Sequence, residues 1–234
     1  MKRLYLYITI IVAVLILMVL GILGVGGSRK GVIVGTVTDA LSGDPVHKAK
    51  ILVGGRSTIR YMDKNFEITN LQPGKYTVRV SAPGYESVAM DVAVGRGVSR
   101  VDVTMKGTEI PGLDHIIVLA GSIEGQGIQL EIRFVNKEGI GIEHFPRLPM
   151  TMDAKLYSRI GTEEKYTRGR LIYSGSVDLY WDSKAYLGKN KGIIPKERLK
   201  VDPKTDGRYG VLDMALHSPQ GDFKASRADI VLEE

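Results

Sequence analysis

The feature that most constrains this chain is an unbroken apolar run close to its start. From Leu4 to Val25 the sequence is almost wholly apolar, and no charged residue occurs between Leu4 and Ser28. A helix rises about 1.5 Å per residue, so about 20 apolar residues cross a hydrocarbon layer of about 30 Å. The run predicts one transmembrane helix that meets membrane lipid through residues 4–25. Tyr5 and Tyr7 stand where an interfacial aromatic belt is expected, just inside Lys2 and Arg3. A cleaved secretory signal has a shorter apolar stretch of about 7–15 residues. A buried core helix needs helical partners, and nothing later in the chain is patterned to supply them. Residues 1–30 are therefore read as an uncleaved anchor followed by a Gly26-Gly27-Ser28 hinge.

Charge gives the anchor only a weak orientation. Lys2 and Arg3 before the span nearly balance Arg29 and Lys30 after it. The exported character of the β-rich sequence behind it decides for a single-pass cell-membrane protein, N-terminus cytoplasmic and C-terminal domains extracytoplasmic. The net charge of +6 divides unevenly. Residues 1–30 hold four basic and no acidic groups, residues 31–107 balance at +3, and residues 108–234 at −1. Most of the excess flanks the membrane, where it meets anionic headgroups. The remainder has no footprint of a nucleic-acid binder, so no nucleic-acid partner is expected. The chain has no cysteine, which removes disulfides, a lipidated cysteine, thiolate zinc sites and a thiol nucleophile.

Past the hinge the apolar period changes to two. Val32, Val34 and Thr36 alternate with Ile33, Gly35 and Val37, the pattern of a strand. Short strands follow over 50–53, 58–61, 65–68, 75–81, 87–94 and 100–105. Ser42-Gly43-Asp44-Pro45, Gln72-Pro73-Gly74, Pro83-Gly84 and Gly95-Arg96-Gly97 punctuate them. Seven short strands in about 75 residues predict a Greek-key sandwich. Pro73-Gly74 reads as a tight turn in which Gly74 supplies the left-handed φ and Leu71 and Tyr76 plug the core.

Two runs in this segment carry a family resemblance. One is Gly35-Thr-Val-Thr-Asp39 with Gly43-Asp-Pro45 and Ala49-Lys-Ile51-Leu-Val53. The other is Phe66-Glu-Ile68-Thr-Asn-Leu71-Gln-Pro73-Gly74-Lys-Tyr76-Thr-Val78, followed by Pro83-Gly84-Tyr85. Residues 31–107 resemble the carboxypeptidase regulatory-like domain, a transthyretin-like β-sandwich. The resemblance implies that fold and a spacer or docking role, and it brings no catalytic residues. Members usually have a glycine before the aromatic where this chain has Asn65 before Phe66; a left-handed Asn65 would allow a shorter turn there.

Residues 108–234 continue in β pattern, with strands expected over 116–122, 127–136, 150–156, 209–218 and 223–232. Arg170–Trp181 reads as one long strand or a hairpin about Gly175, and a helix is conceivable only over 195–199. The whole is expected to be all-β: an N-terminal transmembrane helix (1–30), the transthyretin-like sandwich (31–107) and a second sandwich-like domain (108–234).

Chemistry is sparse. Three positions beyond His47, His115, His144 and His217 stand Lys50, Val118, Arg147 and Gln220, so no His-x-x-Glu zinc pair exists. No Gly-x-Ser-x-Gly elbow occurs, and His217 beside Ser218 reads as a strand histidine. Asp178 with Asp182, and Glu163-Glu164, read as solvated carboxylates rather than an acid–base pair. Asp202 to Gly207 reads as a hydrogen-bonded turn rather than a calcium loop. No enzyme activity, cofactor or metal is expected.

One stretch stands out. Tyr157, Tyr166, Tyr173, Tyr180, Trp181 and Tyr186 are six of the sixteen aromatic residues. A lysine-rich run beyond them includes Lys189 and Lys191. Aromatic faces beside lysines suit a sugar, an anionic polymer or a protein partner, so these eight residues are the candidate binding surface. The expectation is a membrane-anchored extracytoplasmic binding, adhesion or structural protein whose β-sandwich spacer presents a distal recognition domain to a protein or polysaccharide. The alternative is an accessory subunit of a larger transport or secretion complex.

Overall fold

The computed structural model describes residues 30–61 and 63–232. The apolar run over 4–25, and the orientation drawn from its flanks, lie outside the described residues. Among the described residues no helix is long and apolar enough to cross a membrane.

The described chain is all-β. Seven strands form the first sandwich: β1 (Gly31–Asp39), β2 (Ala49–Val53), β3 (Arg56–Arg60), β4 (Asn65–Leu71), β5 (Gly74–Ser81), β6 (Val88–Val94) and β7 (Val98–Met105). One sheet runs β4-β1-β7 and the other β3-β2-β5-β6. The period-two pattern of β1 explains its place. Ile33, Gly35, Val37 and Asp39 are buried while the residues between them are half-buried, because successive side chains of a strand face opposite ways. Gly35 is required where it stands: it pairs with Val101 of the parallel strand β7, and a Cβ there would lie 1.6 Å from the Val101 carbonyl oxygen. Ile33, Val53, Phe66, Val80 and Met105 sit in the core between the sheets.

Two local expectations change. Neither Gly74 nor Asn65 has a positive φ; Asn70, at 62°, supplies the left-handed residue before the turn. Leu71 is buried at 2 % exposure, whereas Tyr76 is half-buried and donates its hydroxyl to the Gln72 carbonyl at 2.9 Å.

The second sandwich holds β8 (His115–Ile123), β9 (Gly127–Val135), β10 (Thr151–Gly161), β11 (Tyr166–Val177), β12 (Leu179–Trp181), β13 (Asn190–Pro195), β14 (Tyr209–Ser218) and β15 (Gly221–Val231). Its sheets run β11-β10-β14-β15 and β12-β13-β9-β8, and all pairings are antiparallel. They enclose a separate core that includes Leu130, Phe134, Met152, Leu156, Ile194 and Leu216. Burying one such side chain contributes about 1.5–3 kcal/mol. Of the two readings of Arg170–Trp181, the single strand holds as far as Val177 and the hairpin about Gly175 does not form. β11 runs straight through Gly175, paired with Ala154 of β10, and the chain changes sheets at Asp178 to begin β12. Part of the lysine-rich run is strand β13, whose inward residues are Asn190, Gly192 and Ile194. Among the described residues only Lys196–Arg198 is helical, as one 3-10 turn.

The linker between the sandwiches is pinned on both sides. The Gly84 carbonyl accepts from the Thr108 amide at 2.8 Å and from its hydroxyl at 3.1 Å. Gly84 itself has φ +79° and its backbone lies against Glu109, a close approach suited to glycine. Ile110 then enters the second core fully buried, its amide donating to the Gln220 side chain at 2.6 Å.

Candidate functional site

Where β1 ends, Asp39 organises the turn that follows. Its Oδ1 accepts from the Leu41 and Ser42 amides, both at 2.8 Å. Its Oδ2 accepts from the Tyr85 hydroxyl at 3.0 Å and, across the junction, from the Arg147 amide at 3.1 Å. The carboxylate is 3 % exposed, and four donors offset the cost of burying it. Burial, and next the Asp39 charge, push the Tyr85 phenol well above its usual range. The turn fixed in this way carries Ser42, Asp44, Pro45, His47 and Lys48 to the edge of the second sandwich.

The segment between β9 and β10 meets them. The Ile142 amide donates to the Phe134 carbonyl at 2.8 Å, which returns the chain along β9 and places Glu143, His144 and Phe145. The Phe145 ring stands edge-on to Phe134 at 5.0 Å and to Trp181 at 5.6 Å, a favoured aromatic arrangement. Trp181, at the end of β12, donates its indole N–H to Asp44 Oδ2 across the junction at 2.8 Å. His47 and His144 stack across the same junction at 3.9 Å, 19° from parallel. The Arg147 guanidinium reaches back to the Leu41 carbonyl at 3.1 Å. The open cleft between them has a volume of about 340 Å³ and draws its walls from both sandwiches.

The upstream half of this constellation, from β1 through Asp39 to Tyr85, coincides with the residues that carry a family signature. Residues 32–106 match the carboxypeptidase regulatory-like domain. That match spans the first sandwich. No curated protein matches the chain in sequence. Solved structures to which the chain is similar include a DUF3823 family protein from Bacteroides uniformis, at 14 % identity and TM-score 0.27, covering 86 % of this chain and 99 % of that one. The major pilin subunit of Bacillus cereus is similar at 9 % identity and TM-score 0.30, over 87 % and 69 % of the two chains. A streptococcal ancillary pilin is similar at 11 % identity and TM-score 0.31, over 88 % and 62 %.

Between the regulatory-like sandwich and its neighbour, the cleft receives only part of the aromatic and lysine stretch. Trp181 and Lys189 line it, with the Lys189 ammonium 5.5 Å over the indole ring. Tyr186 is 68 % exposed, and Glu143 beside it holds its phenol above the usual range. Tyr180 and Lys191 are cross-strand partners on β12 and β13. The Lys191 ammonium is held by Asp182 at 2.7 Å, and this hydrogen bond first, then the Lys184 amide, holds the Asp182 carboxyl below its usual range. Tyr173 is a core residue, 4 % exposed, with its hydroxyl on the Ser176 carbonyl at 2.9 Å and the Arg198 guanidinium over its ring. Tyr157 and Tyr166 belong to β10 and β11 of the other sheet. The eight residues therefore do not form one platform.

Five residues of the cleft escaped the sequence reading: Asp44, His47, Lys48, Glu143 and His144. The His47 ring nitrogen Nδ1 donates to the Tyr61 carbonyl at 2.6 Å. Burial, and next the His47 ring, pull the His144 pKa below 6.5, against the nearby Glu143. The available signal was the density of His, Lys and Pro in Pro45-Val-His47-Lys48, but no spacing links that turn to Glu143-His144.

Elsewhere the side chains are committed to one another. His217 has Asp222 at 2.8 Å and Asp153 at 3.5 Å, one on each ring nitrogen. Ser218 donates instead to the Gly221 carbonyl at 3.0 Å, so the two do not form a nucleophile and base. In the 202–207 turn, buried Asp206 accepts from Arg170 and from the Asp202 amide. Among the described residues no group of three or more His, Asp or Glu side chains converges as for a metal.

Proposed function

We propose that this chain is a membrane-anchored, extracytoplasmic binding or adhesion protein without enzymatic activity. Residues 4–25 tether it, residues 31–107 form a spacer locked onto the domain of residues 108–234, and their shared cleft makes the specific contact. The observation that carries the reading is Trp181, the sole tryptophan, which lines the cleft and hydrogen-bonds Asp44 across the junction. A concave site with aromatic walls and a few placed polar groups is the usual form of a small-ligand pocket. Recognition thus falls between the two sandwiches instead of on the distal domain alone. Support for a non-enzymatic role is chemical: in the cleft the Asp44 carboxylate already accepts the Trp181 N–H, and the Ser42 hydroxyl oxygen accepts from the Asp44 amide.

Protease accessibility on intact cells tests the placement. An antibody against residues 31–234 should lose its signal when protease is added outside. Full protection of that segment until the membrane is permeabilised overturns the extracytoplasmic reading.

A further inference from the structure

The cleft contains both signs of charge, but the two signs are not equally available. Asp44 accepts the Trp181 N–H at 2.8 Å. Glu143 lies 3.8 Å from the His144 ring nitrogen Nε2 and faces the Tyr186 phenol. The two lysines of the cleft lack such partners: among the described residues neither Lys48 nor Lys189 makes an ion pair within 4 Å. The His47 and His144 rings supply polar edges beside them.

Lys48 carries a second mark. Its φ is +54°, a left-handed conformation that residues with a Cβ resist. With Lys48 left-handed, His47 and Lys48 both line the cleft, which neighbours in a regular strand do not do. Opposite, Lys189 stands over the indole of Trp181. An anionic group drawn to that ammonium brings the atoms attached to it onto the aromatic wall. At about 340 Å³ the cleft is near the lower end of small-molecule sites, about 300–1,000 Å³. It admits a single ring-sized unit and does not fit a folded protein surface.

We infer that the cleft binds an anionic saccharide, a sugar unit bearing a carboxylate or a phosphate, with Lys48 and Lys189 as the anion contacts and Trp181 as the ring wall. This rests on the binding reading above and adds the ligand class. The charged group sits between the two ammonium ions, and the aliphatic C–H face of the sugar packs on the indole. Screening by salt weakens such an exposed charge contact.

The test uses the full chain in nanodiscs of neutral phosphatidylcholine and four immobilised polymers. Polygalacturonate presents sugar carboxylates, poly(glycerol phosphate) presents polyol phosphates, dextran presents neutral sugar, and poly-glutamate presents carboxylates without a ring. Binding to polygalacturonate, with or without poly(glycerol phosphate), that exceeds binding to dextran and poly-glutamate supports the inference and identifies the anion. Lys48→Gln and Lys189→Gln should each weaken it about tenfold, the loss expected for one charge-assisted contact. Lys224→Gln on β15, outside the cleft, should leave it unchanged, and unaltered urea midpoints for all three show that folding is intact.

Binding that Lys224→Gln weakens as much as the cleft variants reflects overall charge and overturns the inference. Preference for poly-glutamate, or for poly(glycerol phosphate) alone, overturns the sugar class. Tight dextran binding that Trp181→Phe abolishes and the lysine variants spare overturns the anionic class while the cleft remains a binding site. No binding to any polymer overturns the inference and leaves the anchored placement to the protease test.

Discussion

At the scale of single residues, His144 and His217 are displaced in opposite directions for opposite reasons. Burial of His144, with His47 stacked on it, favours the neutral ring. Hydrogen bonding of His217 to Asp222, with Asp153 nearby, favours the charged ring. The consequences for stability follow from linkage. As pH falls through 6.5 the unfolded chain protonates at position 144 before the folded one does, so the fold loses stability as pH drops towards the depressed folded value. At position 217 the folded chain binds its proton first. That stabilisation is complete below 6.5 and is lost as pH rises through the raised folded value. His144→Gln should therefore flatten the fall in Tm between about pH 7.5 and pH 5, and His217→Gln should steepen it. Differential scanning fluorimetry across that range decides it; two variants moving the same way would contradict the assignment.

At the scale of strands, legibility in the sequence tracked how much apolar surface each element buries. Strands β9 and β14 alternate apolar residues with polar or small ones, and their places could be read from that period. Strand β13 was not readable, because its inward residues are Asn190, Gly192 and Ile194. A polar and a small residue erase the alternation, while the lysines outside suggest a loop. The split of 170–181 was hidden for a related reason. Gly175 looks like a turn, yet it lies within β11, where its neighbours are the Arg198 guanidinium and the Tyr173 ring. Turn chemistry also misassigned Gly74, and a substitution pair makes the point measurable. Gly74→Ala meets nothing closer than a Tyr76 ring atom at 3.8 Å, at an ordinary φ. It should be neutral or stabilise by about 0.4–1 kcal/mol through the unfolded chain. Gly35→Ala drives a methyl into the Val101 carbonyl, and parting β1 from β7 should cost about 3 kcal/mol. Urea unfolding of the two variants should separate them by several kcal/mol, and equal midpoints would refute the account of β1–β7 packing.

At the scale of the whole molecule, the candidate site depends on contacts between residues far apart in sequence. Asp44 meets Trp181, His47 meets His144, and Asp39 meets Arg147. No spacing rule reaches across such separations, so the aromatic stretch pointed to Trp181 and Lys189 but not to the opposite wall. The same contacts join two hydrophobic cores that are otherwise distinct. Hydrogen bonds to charged groups contribute about 1.5–3 kcal/mol each, at the low end for Trp181 with Asp44, which are only half-buried. Coupling of a few kcal/mol suffices to merge two unfolding transitions when the sandwiches differ in stability by less than that amount. The chain over residues 30–234 should therefore unfold in one calorimetric transition whose van't Hoff and calorimetric enthalpies agree. Asp39→Asn keeps one oxygen but turns an amide N–H₂ towards two of the four donors now satisfied, and Trp181→Phe removes the donor to Asp44. Together they should split the transition in two, with the second sandwich, which retains its own core and the Ile110–Gln220 contacts, melting separately from the first. A double variant that still melts in a single transition at lower temperature would mean that the junction is held by the buried linker, and that the cleft contacts do not couple the two cores.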